Sequence, residues 1–151
     1  MALGIHPTQF ASHMCSLFTT PEIFATYVKL AHEYHVPFLS VRGSPLASSQ
    51  AGVTEKDVVL DAVITAAAET PRDKWQAFYL DAIANLKPGL YEIIVHLGHH
   101  DAELQAITVD HGPLGSAGRQ RYTAVTASPE FRNAAQPPHV SPVTWTRLPQ
   151  P

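Results

Sequence analysis

Polar residues able to do chemistry follow a β-branched run in one short stretch of the chain. The stretch reads YEIIVHLGHHDAEL and places His96, His99, His100 and Asp101 after residues 93–95. A continuous β-branched run is typical of a buried parallel strand, and α/β folds carry their catalytic groups at the carboxyl ends of such strands. The sequence therefore predicts a functional cluster where this strand ends.

His13 and His96 are the residues predicted to bind a metal ion. Each ends a short apolar or strand-like run, TQFASHM for His13 and EIIVHLG for His96, and each precedes a turn or loop. The ends of neighbouring parallel strands bring distant positions to within about 4 to 5 Å, so two imidazoles there could converge on one divalent ion. The ordinary alternative is a buried histidine hydrogen-bonded to a backbone carbonyl.

His99 and Asp101 lie on the loop that follows the predicted strand. Beside a metal ion, either residue could orient a ligand through a hydrogen bond or move a proton during catalysis. A polar loop at a strand end is otherwise explained by solvation. Both readings stay open at this point.

Several other candidate residues have structural explanations. Cys15 is the one cysteine, which excludes an intramolecular disulfide and a thiolate metal cluster within the chain. No base is clearly paired with it, so we expect a small buried apolar residue rather than a nucleophile. His32 and His35 flank the end of a predicted helix, where a cation interacts favourably with the helix dipole.

Length and charge bound the classes of protein. The chain has 151 residues, 45% of them hydrophobic, enough for one core but too few for a complete eight-stranded barrel of about 250 residues. A net charge of −3 gives no basic face for nucleic acid. No window reaches the roughly eighteen apolar residues of a membrane span. We expect a soluble cytoplasmic protein with a single α/β domain over residues 1–148 and a frayed tail at 149–151.

Strands that alternate with helices predict a parallel sheet. Thr-Pro and Ser-Pro pairs mark helix starts after Thr20, Thr70 and Ser128. Strands are predicted over residues 36–42, 58–64, 91–97 and 140–148. Pro142 confines the last of them to a sheet edge or a bulge, and the apolar run at 58–64 fits a helix equally well. A Gly/Ser/Pro loop over residues 43–52 separates the first two strands.

Three blocks of the chain, in order, carry a resemblance to a known family. The first is GIHPTQFASHMCSLFTTPEIFATYVKLAHEYHVPFLSVR, similar to a block G-x-x-P-T-x-x-D-S-H followed by a proline, a helix and E-Y-G-V-P-x-x-x-R. The second is LKPGLYEIIVHLGHHDAEL, similar to P-G-x-x-E-(apolar)-x-H-P-G. The third runs from GRQRYTAVTASPEFRNA to VTWTRL. Together they resemble the YdjC/ChbG-like carbohydrate deacetylases, a branch of the NodB-like metal-dependent hydrolases.

The resemblance implies roles for individual residues. In that family one aspartate and two histidines hold a divalent metal, and a metal-bound water removes an acetyl group from an N-acetylated sugar. His13 takes the place of the histidine in D-S-H, and His96 that of the histidine in H-P-G. Arg42 matches the arginine that ends the first block, which implies substrate binding. Asp101 falls where the family often has an acidic residue.

The departures from the family pattern imply a partial structure. Ala11 replaces the aspartate of D-S-H, Leu97 replaces the proline of H-P-G, and the D-D-x-G strand that supplies the aspartate ligand has no counterpart. The expectation is a parallel-stranded partial (β/α) barrel that lacks the family's amino-terminal strands, either a natural short form or an incomplete gene. An open half-barrel exposes apolar edges, so a homodimer is expected, and a second chain could add ligands.

Two hypotheses for function follow. The first is a metal-dependent hydrolase acting on an acyl carbonyl, by deacetylation of an N-acetylated sugar or of a related amide, ester or lactone. Two imidazole ligands favour zinc, and an open site with water and carboxylate would accept magnesium or calcium. The alternative is a non-catalytic homologue that binds a ligand or partner.

Overall fold

The structure is a computed structural model that describes residue 4 and residues 6–44, 50–67, 69–109, 111–138 and 140–151. The chain divides into two compact units, one made of Met1–Ala62 with Val143–Pro151 and the other of Val63–Pro142. Residues 45–49 of the predicted loop lie outside the described residues. The prediction of one domain over residues 1–148 with a tail at 149–151 stays a prediction.

The first unit is built around helix α1, Pro21–Tyr34, which confirms the predicted helix. The Thr20 hydroxyl accepts a hydrogen bond from the Ile23 N–H at 3.3 Å and caps the first turn. His35 takes a left-handed conformation and ends the helix by donating its N–H to the carbonyls of Ala31 and His32. A short 3₁₀ helix, His13–Phe18, precedes α1.

Aromatic side chains form the core of the first unit. Helix α1 contributes Phe24, Tyr27, Val28 and Ala31, which pack with Phe18 and Phe38. The Tyr27 hydroxyl donates to the Phe10 carbonyl at 2.6 Å and accepts from the Leu39 N–H at 3.0 Å. The Leu39 N–H also donates to the Phe10 carbonyl at 3.1 Å, and the extended chain here pairs through single parallel bridges, Phe10 with Phe38 and Val41 with Leu60. The predicted strand over residues 36–42 is therefore extended chain without a continuous ladder.

Strands β1, Ala62–Ile64, and β2, Tyr91–Ile93, pair in a small parallel sheet. Helix α2, Trp75–Ala84, lies between them in sequence and begins after a 3₁₀ turn at Arg72–Lys74. Both strands are shorter than the predicted 58–64 and 91–97.

Three further helices follow β2: α3, Ala102–Ile107; α4, Ser116–Ala127; and α5, Pro129–Ala134. The Ser128 hydroxyl accepts from the Phe131 N–H at 3.2 Å, which confirms the predicted start of α5. The core of this unit is formed by Trp75 and Tyr79 of α2, Tyr122 and Val125 of α4, and Ala66; Ile64 and Ile93 of the sheet and Phe131 of α5 pack against it. The result is a mixed α/β fold with a small parallel sheet.

The predicted final strand over residues 140–148 is wrong. Residues 145–147 form a 3₁₀ helix, Trp145–Arg147, and residues 140–144 have no regular structure. Pro142 has no N–H to donate to a ladder, which disfavours strand pairing at this point. Separately, no helix in the described part of the chain is long and apolar enough to cross a membrane.

Candidate functional site

The chain that leaves β2 carries most of the predicted site residues. We call residues 94–101 the post-strand segment. The Ile94 N–H donates to the Ile64 carbonyl at 2.9 Å, which extends the pairing of β2 with β1 by one residue. The rest of the segment has no regular structure until α3 begins at Ala102. The polar cluster therefore follows the carboxyl end of a parallel strand, as the sequence predicts.

Tyr79 fixes the carboxyl ends of both strands. Its buried hydroxyl accepts a hydrogen bond from the Ala66 N–H at 3.0 Å and donates one to the Ile94 carbonyl at 3.3 Å. Ala66 comes just after β1 and Ile94 just after β2, so one side chain holds the two strand ends. The sequence did not predict this bond, because helical periodicity can indicate that a tyrosine is buried but not which partner its hydroxyl has.

His96 lies half-buried behind the end of β2. Its Nδ1 atom is fully buried, and its ring packs against the Tyr122 ring at a centroid distance of 5.8 Å. Tyr122 is itself stacked on Trp75 at 4.3 Å. Burial raises the pKa of Tyr122 to about 12, and a hydrogen bond with Tyr79 adds to the rise. The aromatic side chains beside His96, Tyr122 and Trp75, therefore carry no charge near neutral pH.

The three polar residues after Gly98 differ in how they are held. His99 is exposed. His100 Nδ1 lies 2.8 Å from the Ser116 Oγ, and the His100 N–H donates to the Gln120 Oε1 at 3.1 Å. The Asp101 carboxylate caps α3 by accepting from the Leu104 N–H at 2.8 Å. Asp101 therefore has a structural task of its own, and the catalytic roles of His99 and Asp101 stay predictions.

Arg42 lies in the first unit, one residue after the bridge between Val41 and Leu60. Its Nε donates to the Asp61 Oδ1 at 3.2 Å, and its side chain is 70% exposed. A guanidinium held on one edge and open to solvent on the other can bind a substrate oxygen. This role of Arg42 stays a prediction.

His13 is the first residue of a 3₁₀ helix and is exposed. The next two residues, Met14 and Cys15, have positive φ angles of 50° and 57°. Residues 13–16 are exposed, and the segment reaches the core only at Phe18. The prediction that Cys15 is buried is wrong, since the thiol residue is exposed.

The metal site predicted at His13 and His96 is not complete in the described residues. His13 belongs to the first unit and His96 to the second. Within the described ranges, no three side chains of His, Cys, Asp or Glu come together as a metal ion would need. The ligand pair stays a prediction, and any full ligand set must include a further group.

His32 has a partner that the sequence did not indicate. Its Nε2 lies 2.8 Å from Oδ1 of Asp57, whose side chain is fully buried. The other oxygen of Asp57 accepts from the N–H of Thr54 at 2.6 Å and from its hydroxyl at 2.9 Å. His32 also lies in the last turn of α1, where the predicted interaction with the helix dipole applies. These contacts give His32 a structural role.

Comparison with known proteins places the chain in a family. No curated protein matches the sequence. A crystal structure from Enterococcus faecalis V583, provisionally described as a cellobiose-phosphate cleavage protein, is similar in fold, with a TM-score of 0.72 and 16% identity. The match covers 94% of this chain and 53% of that one, so the chain spans about half its length. A family model described as YdjC-like protein matches residues 1–136, and this chain therefore belongs to the YdjC-like family.

Proposed function

We propose that this protein is a metal-dependent hydrolase that acts on an acyl carbonyl. Its substrate is an N-acetylated sugar, or a related amide, ester or lactone. Membership of the YdjC-like family, which is related to carbohydrate deacetylases, is the observation that carries this proposal.

The arrangement after β2 supports the proposal. A half-buried imidazole, His96, and an exposed one, His99, follow the carboxyl end of a parallel strand, the position where α/β enzymes gather catalytic groups. The buried aromatic pair Tyr79 and Tyr122 gives this strand end a rigid backing. A rigid backing favours accurate placement of a reacting group.

His13 and His96 are the proposed metal ligands, with zinc or magnesium as the ion and calcium as a third candidate. A bound divalent ion supplies Lewis acidity towards an acyl carbonyl and lowers the pKa of bound water. Catalytic zinc sites commonly keep three protein ligands, so the pair needs another donor. We propose that a second copy of this chain supplies it, which also gives the homodimer a function.

A non-catalytic role is the second candidate, and Ala11 is the observation that favours it. Ala11 occupies the position that holds the aspartate in the family block D-S-H. An alanine side chain can neither bind a cation nor move a proton. In this case the protein would bind a ligand or partner without turnover.

Turnover with and without a chelator separates the two candidates. Purified protein is assayed on N-acetylglucosamine oligomers, on acyl esters and on lactones, with its mass in solution measured alongside. The hydrolase proposal predicts turnover that stops on chelation and returns with added zinc or magnesium. His32→Ala is the control for loss of an imidazole outside the proposed site, and its unfolding is measured alongside because it removes the partner of the buried Asp57. Absence of chelator-sensitive turnover on all three substrate classes would defeat the hydrolase proposal.

A further inference from the structure

Helix α4 contacts the post-strand segment at every second residue. Tyr122 packs on the His96 ring, Thr123 bonds the backbone of Gly98, and two residues of α4 hold His100. Extended chain turns alternate residues to opposite sides. The intervening residues, Leu97 and His99, are exposed, Leu97 by 56%, and His100 is exposed as well. The segment is therefore fixed to α4 at alternate residues, and both His99 and His100 keep access to solvent.

Thr123 satisfies both backbone groups of Gly98. The Gly98 N–H donates to the Thr123 Oγ1 at 3.0 Å, and the same hydroxyl lies 3.0 Å from the Gly98 carbonyl as a donor. It also lies 3.2 Å from the Arg119 carbonyl of its own helix. The hydroxyl thus accepts from the Gly98 N–H, and its single proton is shared between the carbonyls of Gly98 and Arg119, so both backbone groups of Gly98 contact one side chain.

The close approach of Gly98 to α4 requires glycine. A Cβ at this position would lie 2.6 Å from the Leu104 Cδ2 and 3.0 Å from the Arg119 Cβ. The leucine end could move, but the Arg119 Cβ is fixed to the helix backbone. The absence of a side chain at Gly98 therefore allows the bonds to Thr123.

His100 is held by the same face of the helix. The His100 ring bonds the buried Ser116 hydroxyl, and its N–H bonds the Gln120 side chain. Positions 116, 120 and 123 are spaced i, i+4 and i+7, which places them on one side of α4. These three polar side chains of α4 thus provide hydrogen-bond partners for the segment after Ile94, where it pairs with no other strand of the described residues.

We infer that Thr123 is a positioning residue for the site on the post-strand segment. It acts through Gly98, two residues after His96 and one residue before His99, and it sets the direction in which the chain carries both imidazoles. The inference rests on the proposed function for its catalytic consequence. Its structural part, that Thr123 holds the segment, can be tested without activity.

Three variants test the inference, each with two readouts. Thr123→Val keeps the shape and removes the hydroxyl, and Thr123→Ser keeps the hydroxyl. Thr126→Val is the matched control, because the Thr126 hydroxyl donates to the carbonyls of Tyr122 and Thr123 in its own helix. The readouts are native-state hydrogen exchange of the Gly98 amide, followed by NMR, and kcat and KM on a substrate that the wild type turns over.

Thr123→Val should speed Gly98 exchange about tenfold and lower kcat about tenfold, the size expected for one lost hydrogen bond. KM should stay within about twofold, and Thr123→Ser should restore both readouts. Thr126→Val should change neither. Gly98 exchange that is equal in Thr123→Val and Thr126→Val would overturn the inference, as would an unchanged kcat in an active enzyme. An inactive wild type would count against the proposed function, and exchange alone would then decide the role of Thr123.

Discussion

His13 and His96 end similar stretches of sequence but lie in different kinds of structure. His96 is half-buried, with its ring against Tyr122 and its chain fixed to α4. His13 is exposed at the start of a 3₁₀ helix and is followed by two left-handed residues. The two stretches have similar sequences, but only His96 has a helix packed against it, and only its position is fixed by contacts. His96 is therefore the proposed ligand whose position is fixed by packing in this structure.

The largest expected effect comes from removing the ring behind His96. Tyr122→Ala should lower the free energy of unfolding by about 3–5 kcal/mol, because it leaves a cavity beside Trp75. Met14→Ala, one residue after His13 and 83% exposed, should change it by less than about 0.5 kcal/mol. Urea denaturation measures both. Equal losses of unfolding free energy in Tyr122→Ala and Met14→Ala would show that the surroundings of His96 are no better packed than those of His13.

A smaller loss is expected when the bond between the strand ends is cut. Tyr79→Phe removes one hydroxyl and leaves the Ala66 N–H without its acceptor. A buried donor left in this state costs about 1–3 kcal/mol. The loss should come with faster exchange of the Ala66 amide. An unchanged free energy of unfolding would show that Tyr79 only fills space.

Asp101 separates a capping role from a catalytic one. Asp101→Ala should cost about 1 kcal/mol of stability, because the first turn of α3 loses its cap. Asp101→Asn keeps an acceptor and should restore the stability. If Asp101 also moves a proton, Asp101→Asn should stay slow on substrate while it unfolds like the wild type. Full activity in Asp101→Asn would reduce the residue to a helix cap.

The smallest effect is a dependence of stability on alkaline pH. Burial raises the pKa of Tyr122 from its ordinary value of 10.0 to about 12, so the folded state holds this proton more tightly than the unfolded state. The stabilisation is therefore complete below pH 10 and is lost as the pH rises towards about 12. Tyr122→Phe should remove this part of the slope in denaturation curves measured over that range. An unchanged slope would mean that the Tyr122 hydroxyl is better solvated than its burial indicates.

Local signals in the sequence predicted part of this structure well. Thr20 and Ser128, each followed by proline, start α1 and α5, because capping depends on residues that are close in sequence. The prediction of a final strand was wrong. The β-branched residues at 140–148 favour a strand, but Pro142 among them has no N–H to donate to a ladder. The polar helix α4 gave no apolar periodicity, so its stripe of Ser116, Gln120 and Thr123 could not be recognised before its partner segment was known.

The sequence indicated a strand before the polar cluster, but it placed the strand's end at residue 97, whereas β2 ends at Ile93. The roles that the resemblance implies for the histidines stay predictions. Which of His99 and His100 is hydrogen-bonded to α4 depends on which side of the extended segment packs on that helix. Sequence spacing does not give this packing. Helix α3, Ala102–Ile107, was not predicted from the sequence, so the capping role of Asp101 at its start was not predicted either.

Metal affinity of His96→Ala tests the central claim most directly. Wild type, His96→Ala, His13→Ala and His32→Ala are dialysed against zinc, and bound metal is measured by elemental analysis and by competition with a chelator. The account predicts that wild type and His32→Ala bind zinc equally, and that His96→Ala loses at least about tenfold in affinity. His13→Ala should also weaken binding. Full metal content and full activity in both His13→Ala and His96→Ala would contradict the account.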